Sequence, residues 1–205
     1  MSVPSVLITA FEPYDRWSEN SSWEALVALT KELPPSPKIV TRRYPVDFFA
    51  ARAKLEEDLA ADYDYALLLG QAPGICRVHL EAIGINVGGH SSQSPDEFQP
   101  LVENGPAAYR TRLPLDQWAA AVRQAGIPCQ VSYHAGTYLC NAVLYLTHHI
   151  AQQRRLKTRA TFIHLPLCPS QVVGQRQDMP SMTNHDAAQA IRIILAQLAQ
   201  PGWLF

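Results

Sequence analysis

Short apolar runs alternate along the chain with stretches whose apolar residues recur every three or four positions. Ser5 to Ala10 (SVLITA) and Tyr65 to Leu69 (YALLL) are almost wholly apolar, the pattern of strands buried on both faces. Lys38 to Tyr44, Cys129 to Tyr133 and Ala160 to His164 (ATFIH) add three more strand-like runs, rich in β-branched or aromatic residues. Between them, Val46 to Leu59 places Phe48, Ala51, Leu55 and Leu59 on one helical stripe, with Asp47 available near the N-terminus. Ser21-x-x-Glu24 forms a capping-box pattern and predicts a helix to about Lys31, broken by Pro34, Pro35 and Pro37. Further helices are predicted over Leu115–Gln124, from Tyr138 to about Arg154, and over Ala187–Ala199. The last has Thr183-x-x-Asp186 capping, Ile191, Ile194, Leu195 and Leu198 facing inward, and Pro201 and Gly202 as its stop. Cys76 to Asn86 is expected as one extended strand and Val87 to Glu103 as a long loop.

Strands alternating with helices call for a parallel-dominated sheet covered on both faces. With 205 residues and no repeat or low-complexity tract, residues 1–205 are expected to form one domain. The net charge of −1 gives no surface for nucleic acid or an anionic membrane. The one basic cluster, Arg154, Arg155, Lys157 and Arg159, fits a helix end, where cations suit the dipole. No signal peptide or membrane span is expected. Four cysteines without metal-type spacing suit a reducing, cytoplasmic setting. The seven histidines include no H-x-x-x-H pair, and His148 and His149 face different ways on one helix, so no metal and no cofactor are expected.

Candidate chemistry follows from where such folds bind ligands, at the carboxyl ends of the strands. Those ends select Phe11–Tyr14, Gly70–Gly74, Cys140 and His164. Cys140 sits near the start of a helix, where the dipole and unpaired N–H groups favour thiolate, the nucleophilic form. A thiol nucleophile needs a base and a group to orient that base. His164, at a strand end, and His134, close to Cys140 in sequence, are the two candidates for the base. Glu81 is a carboxylate in an apolar stretch, VHLEAIGI, where a charge needs a partner or solvent.

The segments VLITAFEPYDRWSENSSWEAL, GQAPGICRVHLEAIGIN, NGPAAYRTRLP, GIPCQVSYHAGTYLCN and FIHLPLCP together resemble, in order and over nearly the full length, the pyroglutamyl peptidase I family. The resemblance implies a three-layer α/β/α sandwich with a mostly parallel, mixed central sheet. It implies a thiol omega-peptidase that removes N-terminal pyroglutamate from peptides by way of an acyl-enzyme. By motif, Cys140 matches the nucleophile, His164 the base and Glu81 the orienting carboxylate. Phe11, Tyr14 and Tyr138 match aromatic residues that clamp the flat lactam ring, and backbone groups around Gln71 match a segment that hydrogen-bonds it. Relatives are often homo-oligomers, so self-association is expected here.

The departures are specific. The family glycine before the first phenylalanine is Ala10, and its Phe-Gly pair is Tyr14-Asp15, which adds a hydroxyl and a charge. Many relatives carry Ala-Arg-Ile-Pro-Asp in the loop after the N-x-N region, with the arginine placed to stabilise the oxyanion. Here that loop is GGHSSQSPDEFQP, without arginine, leaving His90, Gln93 or backbone N–H groups near Cys140 as replacements. The alternative reading is therefore a catalytically weak relative that binds a pyroglutamate-like N-terminus, or one that hydrolyses another small amide.

Overall fold

A computed structural model describes residues 3–90 and 92–199. Its eight strands are β1 (Ser5–Phe11), β2 (Lys38–Tyr44), β3 (Tyr65–Gln71), β4 (Val78–Glu81), β5 (Ile83–Ile85), β6 (Ala108–Arg110), β7 (Cys129–Ser132) and β8 (Arg159–Leu165). Its six α-helices are α1 (Ser21–Thr30), α2 (Phe48–Asp58), α3 (Leu115–Gln124), α4 (Leu139–Gln153), α5 (Pro169–Val172) and α6 (Asn184–Leu198). Six strands form one sheet in the order β2-β1-β3-β8-β4-β7. Every pairing in it is parallel except β8–β4.

Helices cover both faces, because the central strands are apolar on both. Val6, Ile8 and Leu67 pack with Leu26 and Leu29 of α1, Trp118 of α3 and Ile191 of α6. Leu7, Leu68 and Phe162 pack with Leu55 of α2 and with Val143 and Leu144 of α4. The fold is the mostly parallel, mixed α/β arrangement expected. Among the described residues, no helix is long and apolar enough to cross a membrane.

Local chemistry explains most of the helix starts, and in one place it differs from the expectation. Asn20, not Ser21, caps α1, its side chain accepting from Ser22 N–H. Asn is as good an acceptor there as Ser, and its side chain also reaches back to the Glu12 carbonyl. Asp47 caps α2 through Ala50 N–H, and Thr183 caps α6 through Asp186 N–H, so α6 begins three residues before the expected Ala187. The expected stop at Pro201 and Gly202 lies outside the described residues.

The expected strand Cys76–Asn86 is two strands in two sheets, divided at Ala82. β4 joins the large sheet, while β5 turns away to pair with β6. A continuous apolar run cannot distinguish one strand from two, since each buries its apolar residues against a different partner. β6 and α5 were not anticipated. Phe11 and Gln71, expected in loops, are instead the last residues of β1 and β3.

Candidate active site

Three side chains meet at the single antiparallel joint of the sheet. β4 and β8 pair with His79 opposite His164 and Glu81 opposite Phe162. All four side chains therefore share one face, and Glu81 lies diagonal to His164, within reach of a long side chain. His164 Nδ1 and Glu81 Oε1 are 2.8 Å apart, with Glu81 1% exposed. Cys140 lies near enough to His164 for its sulfur to raise the pKa of the imidazole. His134, the rival base, is exposed, and its Nδ1 accepts from Gly136 N–H in its own loop.

The electrostatics follow from this arrangement. Burial opposes an imidazolium at His164, but the Cys140 sulfur and the Glu81 carboxylate outweigh it and raise the pKa to about 10. Burial would raise the Glu81 carboxyl, yet the hydrogen bond and charge of His164 hold it below its ordinary value, with Ser132 and His79 adding to the effect. The nearby His79 is lowered, mainly by burial.

Cys140 is the second residue of α4, after Tyr138 at the cap position. The first hydrogen bond of that turn runs from Ala142 N–H to the Tyr138 carbonyl. The N–H groups of Cys140 and Asn141 therefore have no carbonyl behind them in the helix. Gly136, at φ +81°, makes the turn that leads in. Asn141, fully buried, clamps the backbone of Ile85 and Val87 to α4 through three hydrogen bonds. The strand beneath needs a glycine for a different reason. A β-carbon on Gly70 would run into the Phe162 ring and lie 3.1 Å from Cys140 Sγ. Glycine at this point of β3 makes room for the thiol above the sheet.

Cys140 also opens onto a small pocket. Its wall includes Phe11, Tyr14, Gln71 and Tyr138, the four residues matched to ligand binding by resemblance. Asn20, Val46 and Leu139 complete it and were not anticipated. Nothing in the sequence marked them as pocket residues. Phe11 is buried, stacked at 6.3 Å on Phe162, whereas Tyr138 touches Phe48 and His90 edge-on at 5.1 and 4.7 Å. The Tyr14 phenol is pushed up to about 12 by burial and by negative charge at Cys140. Asp15 is exposed and stays off the pocket wall, with φ +54°. Glycine suits that left-handed backbone, which accounts for the family's glycine at this position.

No lysine or arginine of the described residues lines the pocket. His90 faces Tyr138, its Nδ1 paired with Ser92 Oγ at 2.6 Å, and its N–H donates to Gln93 Oε1. Both sequence candidates for replacing the family arginine are thus tied to their own loop. Nor do three His, Cys, Asp or Glu side chains gather as a metal site among the described residues.

Comparison with known proteins identifies relatives of the chain. The family model described as pyroglutamyl peptidase matches residues 4–200. A pyrrolidone-carboxylate peptidase of Clavibacter michiganensis is 38% identical over 200 residues, covering 94% of this chain and 92% of that one. The crystal structure of pyrrolidone carboxyl peptidase from Fervidobacterium islandicum superposes with a TM-score of 0.89 at 35% identity, over 95% of this chain and 98% of that chain. Pyroglutamyl peptidase I from Bacillus amyloliquefaciens gives 0.88 at 28% identity, over 97% and 96%.

Proposed function

The chain belongs to the pyroglutamyl peptidase family, and from that premise we propose that it is a cysteine-type hydrolase removing pyroglutamate from the N-terminus of peptides. The observation that carries this reading is the double position of Cys140. Its thiol meets the His164–Glu81 pair on one side and the aromatic-walled pocket on the other.

In this reading the lactam ring lies between Phe11, Tyr14 and Tyr138, where a flat neutral ring gains from apolar stacking. Cys140 Sγ, as thiolate, attacks the pyroglutamyl carbonyl carbon. As the S–C bond forms, the C=O π electrons move onto oxygen, and that oxyanion takes hydrogen bonds from the N–H groups at the start of α4. The imidazolium of His164 gives its proton to the departing amine as the C–N bond breaks, leaving a thioester. Water then attacks the thioester, giving a proton to His164, and the sulfur departs with its electron pair. Glu81 orients the ring and stabilises its charged form throughout.

A release assay with pyroglutamyl-, prolyl- and glutaminyl-aminomethylcoumarin tests the proposal. The kcat/KM for the pyroglutamyl amide is expected to exceed that for the prolyl amide by more than roughly tenfold, the worth of one buried hydrogen bond lost. Equal values, or a preference for proline, would overturn the assignment. The second reading, a weak hydrolase, rests on the pocket wall without a cation. One missing oxyanion donor costs about 10²–10³ in turnover, so kcat rather than KM decides between them.

A further inference from the structure

Gln71 ends β3, is 4% exposed, and contributes to the pocket wall. Its amide is one link of a buried hydrogen-bond chain that begins on the backbone of α5. Cys168 N–H donates to Gln171 Oε1 at 2.9 Å. At the other end of that amide, Gln171 Nε2 donates to the Glu19 carbonyl at 3.0 Å and to Gln71 Oε1 at 2.8 Å. Ser21 N–H donates to the same Gln71 oxygen at 2.8 Å.

The direction of the chain is forced. A backbone N–H can only donate and a backbone carbonyl can only accept. Gln171 must therefore turn its oxygen to Cys168 and its nitrogen to Glu19. Gln71 must turn its oxygen to Ser21 and Gln171, which leaves its nitrogen for the pocket. That nitrogen is buried and has no hydrogen-bond acceptor of normal geometry, although the Tyr14 phenol lies alongside. A buried donor without an acceptor is costly, and a ligand carbonyl relieves the cost.

We infer that Gln171, 100 residues from Gln71 in sequence, is a positioning residue that, together with the Ser21 N–H, fixes Gln71 as a donor and so selects ring ligands bearing a neutral carbonyl over ring amines. The identity of the substrate rests on the function proposed above, whereas the hydrogen-bond chain stands without it. A protonated ring amine has no acceptor to offer and sets donor against donor.

The test uses the full chain and two small probes, 2-pyrrolidone and pyrrolidine, each competing with iodoacetamide for Cys140, with adducts mapped by mass spectrometry. In the parent protein 2-pyrrolidone is expected to protect at lower concentration than pyrrolidine. Gln171→Met keeps the length but breaks the chain, so about tenfold more 2-pyrrolidone is needed. Gln171→Glu sets a carboxylate oxygen against Gln71 Oε1, while Ser21 N–H still donates to that oxygen, so the two neighbours of Gln71 favour opposite orientations of its amide. The preference for 2-pyrrolidone over pyrrolidine is then expected to shrink. The alkylation rate without a probe should stay the same, because Gln171 does not touch the thiol. A lowered Tm with an unchanged probe ratio in both variants would mean a purely structural role and overturn the inference. So would a parent protein that 2-pyrrolidone fails to protect. Failure of the peptidase reading looks different: no coumarin is released, yet the protection pattern persists.

Discussion

On one side of Cys140, His164 and Glu81 stand on neighbouring strands, held in register by the β4–β8 pairing. On the other side, Tyr138 and His90 stand on loops that meet through Gly89 N–H and the Thr137 carbonyl at 2.9 Å and through the edge-on contact of the two rings. The first side is buried and charged, its groups bonded to one another. The second is partly exposed and held by weaker contacts. Groups that exchange protons need fixed distances, which a strand register supplies. A wall that only has to touch a ring can be built from loops, and the loop after β5 brings no arginine to it.

If that contrast is right, substitutions on the strand side should cost far more. The largest effect is expected from Cys140→Ser, with a turnover loss on the order of 10³-fold or more and an unchanged fold by circular dichroism. In the parent protein iodoacetamide should label Cys140 before Cys76, Cys129 or Cys168. Labelling elsewhere with activity intact would remove Cys140 from the mechanism.

Next in size come the two groups behind the thiol. His164→Ala is expected to lower kcat by about 10²–10⁴. Glu81→Gln should cost less, because an amide still positions the ring but cannot stabilise the imidazolium. Stability carries a matching signature. The raised pKa of His164 contributes stability that is complete below its unfolded value of 6.5 and is lost as pH climbs through about 10. The lowered pKa of Glu81 contributes stability above its unfolded value of 4.5 and loses it as pH falls below. The Tm difference between the parent and Glu81→Gln should therefore be widest between about pH 4.5 and 6.5 and narrow above. A difference constant from pH 4 to 10 would show that the pair does not carry the charge assigned to it.

The smallest effect is expected on the loop side. His90→Ala removes one ring-edge contact to Tyr138, worth about 0.5–1.5 kcal/mol. KM should rise by no more than about tenfold, with kcat within a factor of three or so. A hundredfold fall in kcat would instead make His90 the missing oxyanion donor.

Much of this architecture was visible in the chain itself. Apolar runs located β1, β3 and β8, helical stripes located α2, α3, α4 and α6, and motif order singled out Cys140, His164 and Glu81. The misreadings share a cause. β4 and β5 form one apolar run, and only their different partners separate them. Gln171 sits in a four-residue helix too short to show a period. Asn20 and Ser21 compete for one cap, and the contest is settled by which side chain can also reach Glu12.

Local patterning thus determined which segments are strands or helices and which residue types were available for chemistry, because both depend on neighbours a few positions apart. Tertiary structure alone decided that Glu81 is buried against His164, that Gly70 makes room for Cys140, and that Gln171 governs Gln71. Each of these depends on strand order and register. Strand order and register are set by long-range packing between segments that no sequence period connects.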